Sequence, residues 1–485
     1  MIKETDVVGR ECRFAVYVPP AEHGQPDWHL VKEQVHLKDG KIVPNVRFLK
    51  DFSRDFYVTR KGMQNHQSKK ESEKLEHLIK TNTTQSMMDI KMGKALGQGW
   101  IQDTRKLKES PYLYGADIMS TAIIKKMYQD KYPTLASYYS LAVFDVETDV
   151  VEGHEKIIMA SLTMMDKVFC AVDKSFVAGY TDVHNRVMNL ADKYIGDVIK
   201  QRNIKIEFVI VESEIDIVRD VFAKAHQWQP DFVAIWNIDF DIGTKVLDAC
   251  KRAAVDPKDI FSDPKVPVEN RFFKYKQGLK QKVTASGVVT PIKPAAQWHV
   301  VTCPSSFYLI DAMCVYRQIR TGKQEETSYA LDAILTKENI KNKLKFEEVA
   351  NHTGIKWHQE MQSKHKLEYI IYNIFDCICV EMLDEKTYDL RATMPMFSGY
   401  SDFSYFNSQP RRLVDKLHYF YLEKGEVIGT TAGNLKEDMD SESLDLSGWI
   451  INLDATLIMD NGLCNIEENA NLPSRAHVFA GDKLR

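Results

Sequence analysis

The stretch Ser140-Leu-Ala-Val-Phe-Asp-Val-Glu-Thr148 sets four consecutive apolar residues directly before two carboxylates. An apolar run of that length, bounded by polar residues, is the pattern of a strand buried on both faces at the centre of a sheet. Working outward, IIMASLTMM (157–165) and KVFCAV (167–172) read as two more strands of the same sheet, joined by a short turn at Asp166. KIEFVIV (205–211) reads as a further strand, ESEIDIVRDVFAKAHQW (212–228) as a helix, and DFVAIW (231–236) as another buried strand. A strand FYLIDA (307–312) and a strongly amphipathic helix, KLEYIIYNIFDCICVEMLDEKTYDL (366–390), complete the segment. Strands alternating with helices around one sheet predict an α/β domain over residues 138–390.

At 485 residues the chain exceeds one ordinary core, so further domains are expected to flank this one. Residues 1–137 carry short β-like runs such as Arg13-Phe-Ala-Val-Tyr-Val18. They also carry one charge-dense segment, HQSKKESEKLEHLIK (66–80), whose alternating signs predict a solvated helix. Past residue 391 come loops with Gly and Pro, a helix around Arg411–Leu422, an acidic loop KEDMDSESLDL (436–446) and alternating β segments.

With 44% apolar and 27% charged residues the composition is globular, which excludes a disordered chain. No stretch approaches the ~20 apolar residues of a spanning helix. The opening MIKETDVVGRECRF carries charge where a secretory signal is apolar, so a cytoplasmic location is expected. Lys+Arg 64 against Asp+Glu 68 leaves no chain-wide cationic field, so any nucleic acid must be held by a local basic surface. Eight scattered cysteines form no CxxC pair, and reduced thiols are expected. Cys377-Ile-Cys379 lies in an apolar helical run with no histidine at ligand spacing, and reads as core rather than zinc.

Three groups of carboxylates carry candidate chemistry. Asp145 and Glu147 leave the first buried strand on one face, because side chains two apart share a side. Such a pair can hold a hard divalent cation through oxygen ligands, although an exposed acidic strand end accounts for it as well. In Trp236-Asn-Ile-Asp-Phe-Asp241 the next strand breaks toward a helix. Either Asp239 or Asp241 could simply cap that helix, or Asp241 could supply a third carboxylate where α/β sheets bind ligands. In Tyr372-Asn-Ile-Phe-Asp376 the phenol and carboxylate lie one helical turn apart on one face, amid apolar neighbours. A buried carboxylate there is costly unless paired, and a metal would offset the cost.

FDVETD, NIDFDI and YNIFD resemble, in that order, the three motifs of the DEDDy 3′–5′ exonucleases. The surrounding chain is similar to the N-terminal half of a family B DNA polymerase of the tailed-bacteriophage type. YLYGADI (112–118), IDAMCVYRQIR (310–320), SYALDAIL (328–335) and SQPRRLVDKL (408–417) extend the likeness over most of the chain. The resemblance implies an N-terminal α+β domain at 1–137, an RNase-H-like exonuclease domain at 138–390, and a linker with the start of a polymerase palm at 391–485. It implies that Asp145, Glu147, Asp241 and Asp376 bind two divalent ions, Mg²⁺ or Mn²⁺, which activate a water and stabilise the leaving 3′ oxygen. Tyr372 would orient that water rather than act as base, since a phenol with a pKa of about 10 stays protonated at neutral pH. The expected products are nucleoside monophosphates released from a DNA 3′ end.

Between the second and third motifs, residues 268–293 hold six basic residues against one acid. Arg271, Lys274, Lys276, Lys280 and Lys282, interleaved with Phe273 and Tyr275, suit phosphate neutralisation and base stacking on single-stranded or primer-template DNA. Gln277-Gly278 suggests a hairpin turn there. Near the end, AHVFAGDKLR (476–485) is similar to the strand entering the first palm motif, with Asp482 at the place of a metal aspartate. The later palm motifs are not present, and Leu446-Ser-Gly-Trp449 matches the preceding element loosely. The chain alone is therefore not expected to polymerise DNA. It reads as a fragment, or as one subunit whose partner carries palm, fingers and thumb and covers an apolar surface near 447–480. A stand-alone repair exonuclease and a catalytically silent DNA-binding subunit are the alternatives.

Overall fold

The computed structural model describes residues 3–99 except 23, 104–283 except 154, 287–322, 325–340, 344, 346, 349, 351–398, 403, 409–431, 456–459 and 462–465. Met1–Thr430 form one compact unit and Thr431–Arg485 a second. The acidic loop at 436–446, Asp482 and most of the 447–480 surface lie outside the described residues.

The first unit begins with an antiparallel sheet of β1 (Val7–Val18), β2 (Trp28–Leu37) and β3 (Ile42–Lys50). A second group follows: β4 (Ser53–Thr59), β5 (Ser72–Lys74), β6 (Leu78–Thr84) and β7 (Leu113–Tyr114), in which β4 lies between β6 and β7. The helix expected over 66–80 is thus a strand, a short turn at Leu75–His77 and the start of another strand. Its backbone groups pair outside the segment, β6 with β4 and β5 with Glu426–Ile428. Such remote pairing overrides a charge pattern that locally favours a helix. Part of that pattern gathers instead on Glu73, which accepts hydrogen bonds from Lys70 and His77.

The central sheet is built from β8 (Leu141–Thr148), β9 (Ile157–Met164), β10 (Lys167–Asp173), β11 (Lys205–Val211) and β12 (Phe232–Ile235). Four short strands follow, β13 (Lys274–Lys276), β14 (Gln281–Val283), β15 (Val289–Pro291) and β16 (Val300–Thr302), before β17 (Tyr308–Asp311) completes the sheet. Its order is β11-β10-β9-β8-β12-β17. Only β9 runs against its neighbours; β10–β11, β8–β12 and β12–β17 are parallel pairs. The domain is therefore mixed α/β.

Helices α1 (Val183–Arg202), α2 (Glu214–Trp228), α3 (Ala312–Ile319), α4 (Ile355–Lys364), α5 (Lys366–Thr387) and α6 (Gln409–Glu423) accompany these strands. Alternation along β8 sends Leu141 and Val143 into one core with Val187 of α1 and Ile370 and Ile374 of α5. Ala142, Phe144 and Val146 enter the other core, with Val218 and Phe222 of α2. Burying each large aliphatic contributes roughly 1.5–3 kcal/mol, which explains the uninterrupted apolar run. The sequence suggests one apolar stripe on α5, but the helix is buried nearly all round. It is enclosed by β8 and β9, α1 and α4. Beyond α6, β18 (Glu426–Ile428) closes the first unit against β5. In the second unit β19 (Thr456–Met459) pairs antiparallel with β20 (Gly462–Asn465).

The seven described cysteines outside the second unit are free and buried, Cys377 and Cys379 in the core as expected. Among the described residues no helix is long and apolar enough to cross a membrane.

Buried polar contacts fasten the N-terminal sheet to the base of the central one. Asp231 accepts from Gln34 Nε2 at 3.1 Å and from the Ser140 backbone N–H at 2.8 Å. Lys32 is wholly buried, its Nζ donating to the Gln229 carbonyl at 2.7 Å. Burial lowers the Lys32 pKa to about 8 despite the opposing pull of Asp231 and Asp263. The folded state then holds this proton less tightly than the unfolded chain, so stability rises between pH 8 and the ordinary lysine value. The rise amounts to at most about 3 kcal/mol and is absent from Lys32→Met. Urea unfolding of both proteins at the two ends of that window measures it; a constant difference between them contradicts the account.

Candidate metal centre

β8, β12 and β17 run parallel and end at one edge of the sheet, with Val143 level with Ala234 and Ile235 level with Asp311. The carboxyl ends of such strands are where open α/β sheets bind ligands. Asp145 and Glu147 continue the Leu141–Val143 face of β8, the face that α5 covers. From α5 comes Asp376, 5% exposed. Each of Asp145, Glu147 and Asp376 can offer an oxygen within 4.8 Å of the others. Three hard oxygen donors so spaced could hold a metal ion.

Past β12 the chain enters a wide π-helical segment, Asp239–Val246, which continues as an α-helix over Leu247–Arg252. Ile238, Ile242 and Val246 anchor it in the core. Residues two apart on a helix point to roughly opposite sides, and this separates the two aspartates. Asp239 accepts from the Tyr275 hydroxyl at 2.7 Å and from Gln277 at 3.3 Å, with His299 at 3.5 Å and Lys280 at 3.8 Å. Burial opposes its ionisation, yet these partners hold its pKa below the usual carboxylate value. Gly243 makes room for the contact, since a Cβ there would overlap the Tyr275 hydroxyl.

Asp241 is 4% exposed. Its pKa is pushed well up, first by burial and then by the negative charges of Asp145, Glu147 and Asp311. Asp241 is thus close enough to feel the acidic group, though it lies outside the closest trio. A carboxyl crowded in this way favours its proton until a cation arrives to balance the charge.

Tyr372, one turn before Asp376, is buried and packs on Trp357 with ring centroids 4.8 Å apart. Burial, then Asp376, Glu147 and Asp145, raise its pKa well above the ordinary phenol. Its hydroxyl stays protonated at neutral pH and can donate a hydrogen bond.

Three residues here were missed by sequence reasoning. Asn373 Nδ2 donates to Asp145 Oδ2 at 2.7 Å, and the Tyr369 hydroxyl donates to Glu147 Oε2. Both follow from helical spacing, since 369, 372, 373 and 376 fall on one side of α5. Asp311 ends β17, accepts from the backbone N–H groups of Cys314 and Ile238, and so ties α3 to the start of the segment bearing Asp241. Its strand-end position before a helix was the available signal. Desolvation raises its pKa to about 6.

The basic insertion differs from expectation. β13 pairs with β16 and β14 with β15, so Gln277-Gly278 is not a hairpin turn. A Cβ at Gly278 would stand 2.7 Å from the Gln297 backbone, which shows how closely that segment packs instead. Phe273 packs against Phe261 with centroids 4.8 Å apart, and Tyr275 is occupied by Asp239 and His299. Both rings are half-buried by these contacts. Arg271 braces the preceding loop through the carbonyls of Val266 and Pro264. Lys274, Lys276, Lys280 and Lys282 remain exposed.

Fold and site together define an acidic, oxygen-donor centre at the edge of a mixed α/β sheet. No family model matches the chain, and no curated protein matches it.

Proposed function

We propose that the chain is a metal-dependent 3′–5′ DNA exonuclease, the proofreading part of a family B type DNA polymerase. The observation that carries this reading is the convergence of a strand end, a π-helical turn and a long helix on one sheet edge. There the oxygens of Asp145, Glu147 and Asp376 can come within 4.8 Å of one another, and the charges of Asp145 and Glu147 reach Asp241. An RNase-H-like architecture is supported by the sheet order and by the single reversed strand, β9. Divalent ions in this centre supply water activation and charge stabilisation for in-line phosphodiester hydrolysis. Asp145, Glu147, Asp241 and Asp376 supply the ligands, and the neutral Tyr372 hydroxyl orients the attacking water.

The test is digestion of 5′-labelled single-stranded DNA and of primers with mismatched 3′ ends, with Mg²⁺ or Mn²⁺ and with chelator. Stepwise shortening from the 3′ end with release of nucleoside monophosphates, abolished by chelator, is expected. Absence of shortening, or cleavage that survives chelation, rejects the reading. The exposed lysines of the insertion provide the phosphate-binding surface. Changing Lys274, Lys276, Lys280 and Lys282 together to Ala should lower the slope of log affinity against log salt for single-stranded DNA by up to ~3. An unchanged slope places the DNA elsewhere.

A further inference from the structure

We propose that Tyr369 is a positioning residue for Glu147 and that His358 orients its hydroxyl, so that the Glu147 carboxylate is held in the direction in which it meets a cation. The inference rests on the proposed metal site but not on the reaction performed there.

Tyr369 is fully buried, and its ring stacks on Tyr372 at an interplanar angle of 4° with centroids 5.6 Å apart. Its hydroxyl meets Glu147 Oε2, and His358 Nδ1 lies 2.7 Å from the same hydroxyl. A phenol has one proton to give. An ionised carboxylate only accepts, so the phenol's proton points to Glu147. His358 Nδ1 must then carry the hydrogen of the second bond and donate it to the phenol oxygen. Gln362 Nε2 approaches that oxygen as well, at 3.4 Å.

His358 and Gln362 both belong to α4, which is fastened to the chain just beyond Glu147. Gln362 donates to the Thr148 carbonyl at 2.8 Å and accepts from the Val150 N–H at 3.0 Å, while Gln359 donates to the Val150 carbonyl at 3.2 Å. The helix therefore fixes the end of β8 and the orientation of its glutamate together. One turn along α5, Asn373 engages one Asp145 oxygen in the same manner. Outer hydrogen bonds of this kind fix ligand direction, and losing one typically weakens metal binding by about 10–100-fold.

Tyr369→Phe keeps the ring and its stacking and removes the hydroxyl. Calorimetric Mn²⁺ titration of the full chain should show binding weakened by about 10–100-fold, with the melting temperature little changed. The Mn²⁺ requirement for DNA digestion should shift in parallel while the rate at saturating Mn²⁺ changes less. His358→Ala should also weaken binding, and His358→Asn, whose amide can donate from near the Nδ1 position, should restore part of it. This pair carries the test if Tyr369→Phe does not fold. Equal Mn²⁺ binding by folded wild type and Tyr369→Phe overturns the proposal, as does a wild type that binds no Mn²⁺. A wild type that binds Mn²⁺, weakened by Tyr369→Phe, but digests no DNA rejects the exonuclease reading and supports the positioning role.

Discussion

Replacing Asp145 and Glu147 together by alanine should abolish the proposed exonuclease activity and leave the protein folded. The change removes two of the three carboxylates that approach within 4.8 Å. Metal-borne charge stabilisation is worth several kcal/mol, so a loss of roughly a thousandfold or more follows from tenfold per 1.36 kcal/mol. Two effects on stability oppose each other. Asn373 and Tyr369 lose their acceptors, at about 1–3 kcal/mol for each buried donor left unmade. Against this, Asp241 loses the two negative charges that crowd it. The melting temperature should accordingly stay within a few degrees of the parent. Calorimetry and end-labelled DNA digestion measure the two quantities, and undiminished digestion by the folded variant removes these residues from the site.

The second large effect is stabilisation by the cation itself. A ligand that binds only the folded state at about 100 times its Kd adds about 2.7 kcal/mol. For a unit of about 430 residues that corresponds to a rise of about 3 °C in melting temperature. Mn²⁺ should produce it in the parent protein, chelator should reverse it, and the Asp145→Ala, Glu147→Ala variant should not show it. An equal rise in that variant would locate the ion somewhere other than this carboxylate group.

Much of the site was legible because its chemistry follows local periodicity. The run at 141–144 has the pattern of a strand covered on both faces, as it proved to be, and residues two apart on it share a side. Asp376 lay in an apolar helix, and its burial was evident from its neighbours. The choice between Asp239 and Asp241 was not evident, because it depends on which of them Tyr275 occupies from 36 residues away. Asp311, His358 and Gln362 act through backbone groups or second partners brought together by the sheet edge, and no spacing rule announces them. The segment 66–80 was misread for a related reason, since its conformation is set by strands it meets only after folding. In the basic insertion, composition indicated charge correctly but not which aromatic rings the core would claim.

The pairing of β5 with β18 joins segments about 350 residues apart, and Gly429 and Thr430 extend it through bonds to Glu71 and Leu113. During translation at 5–20 residues per second, the first of these strands must wait about 20–70 s for its mate to leave the ribosome. Throughout that interval its edge is open to other chains, so the nascent protein has a long window in which a chaperone, or a mistaken neighbour, can reach it first.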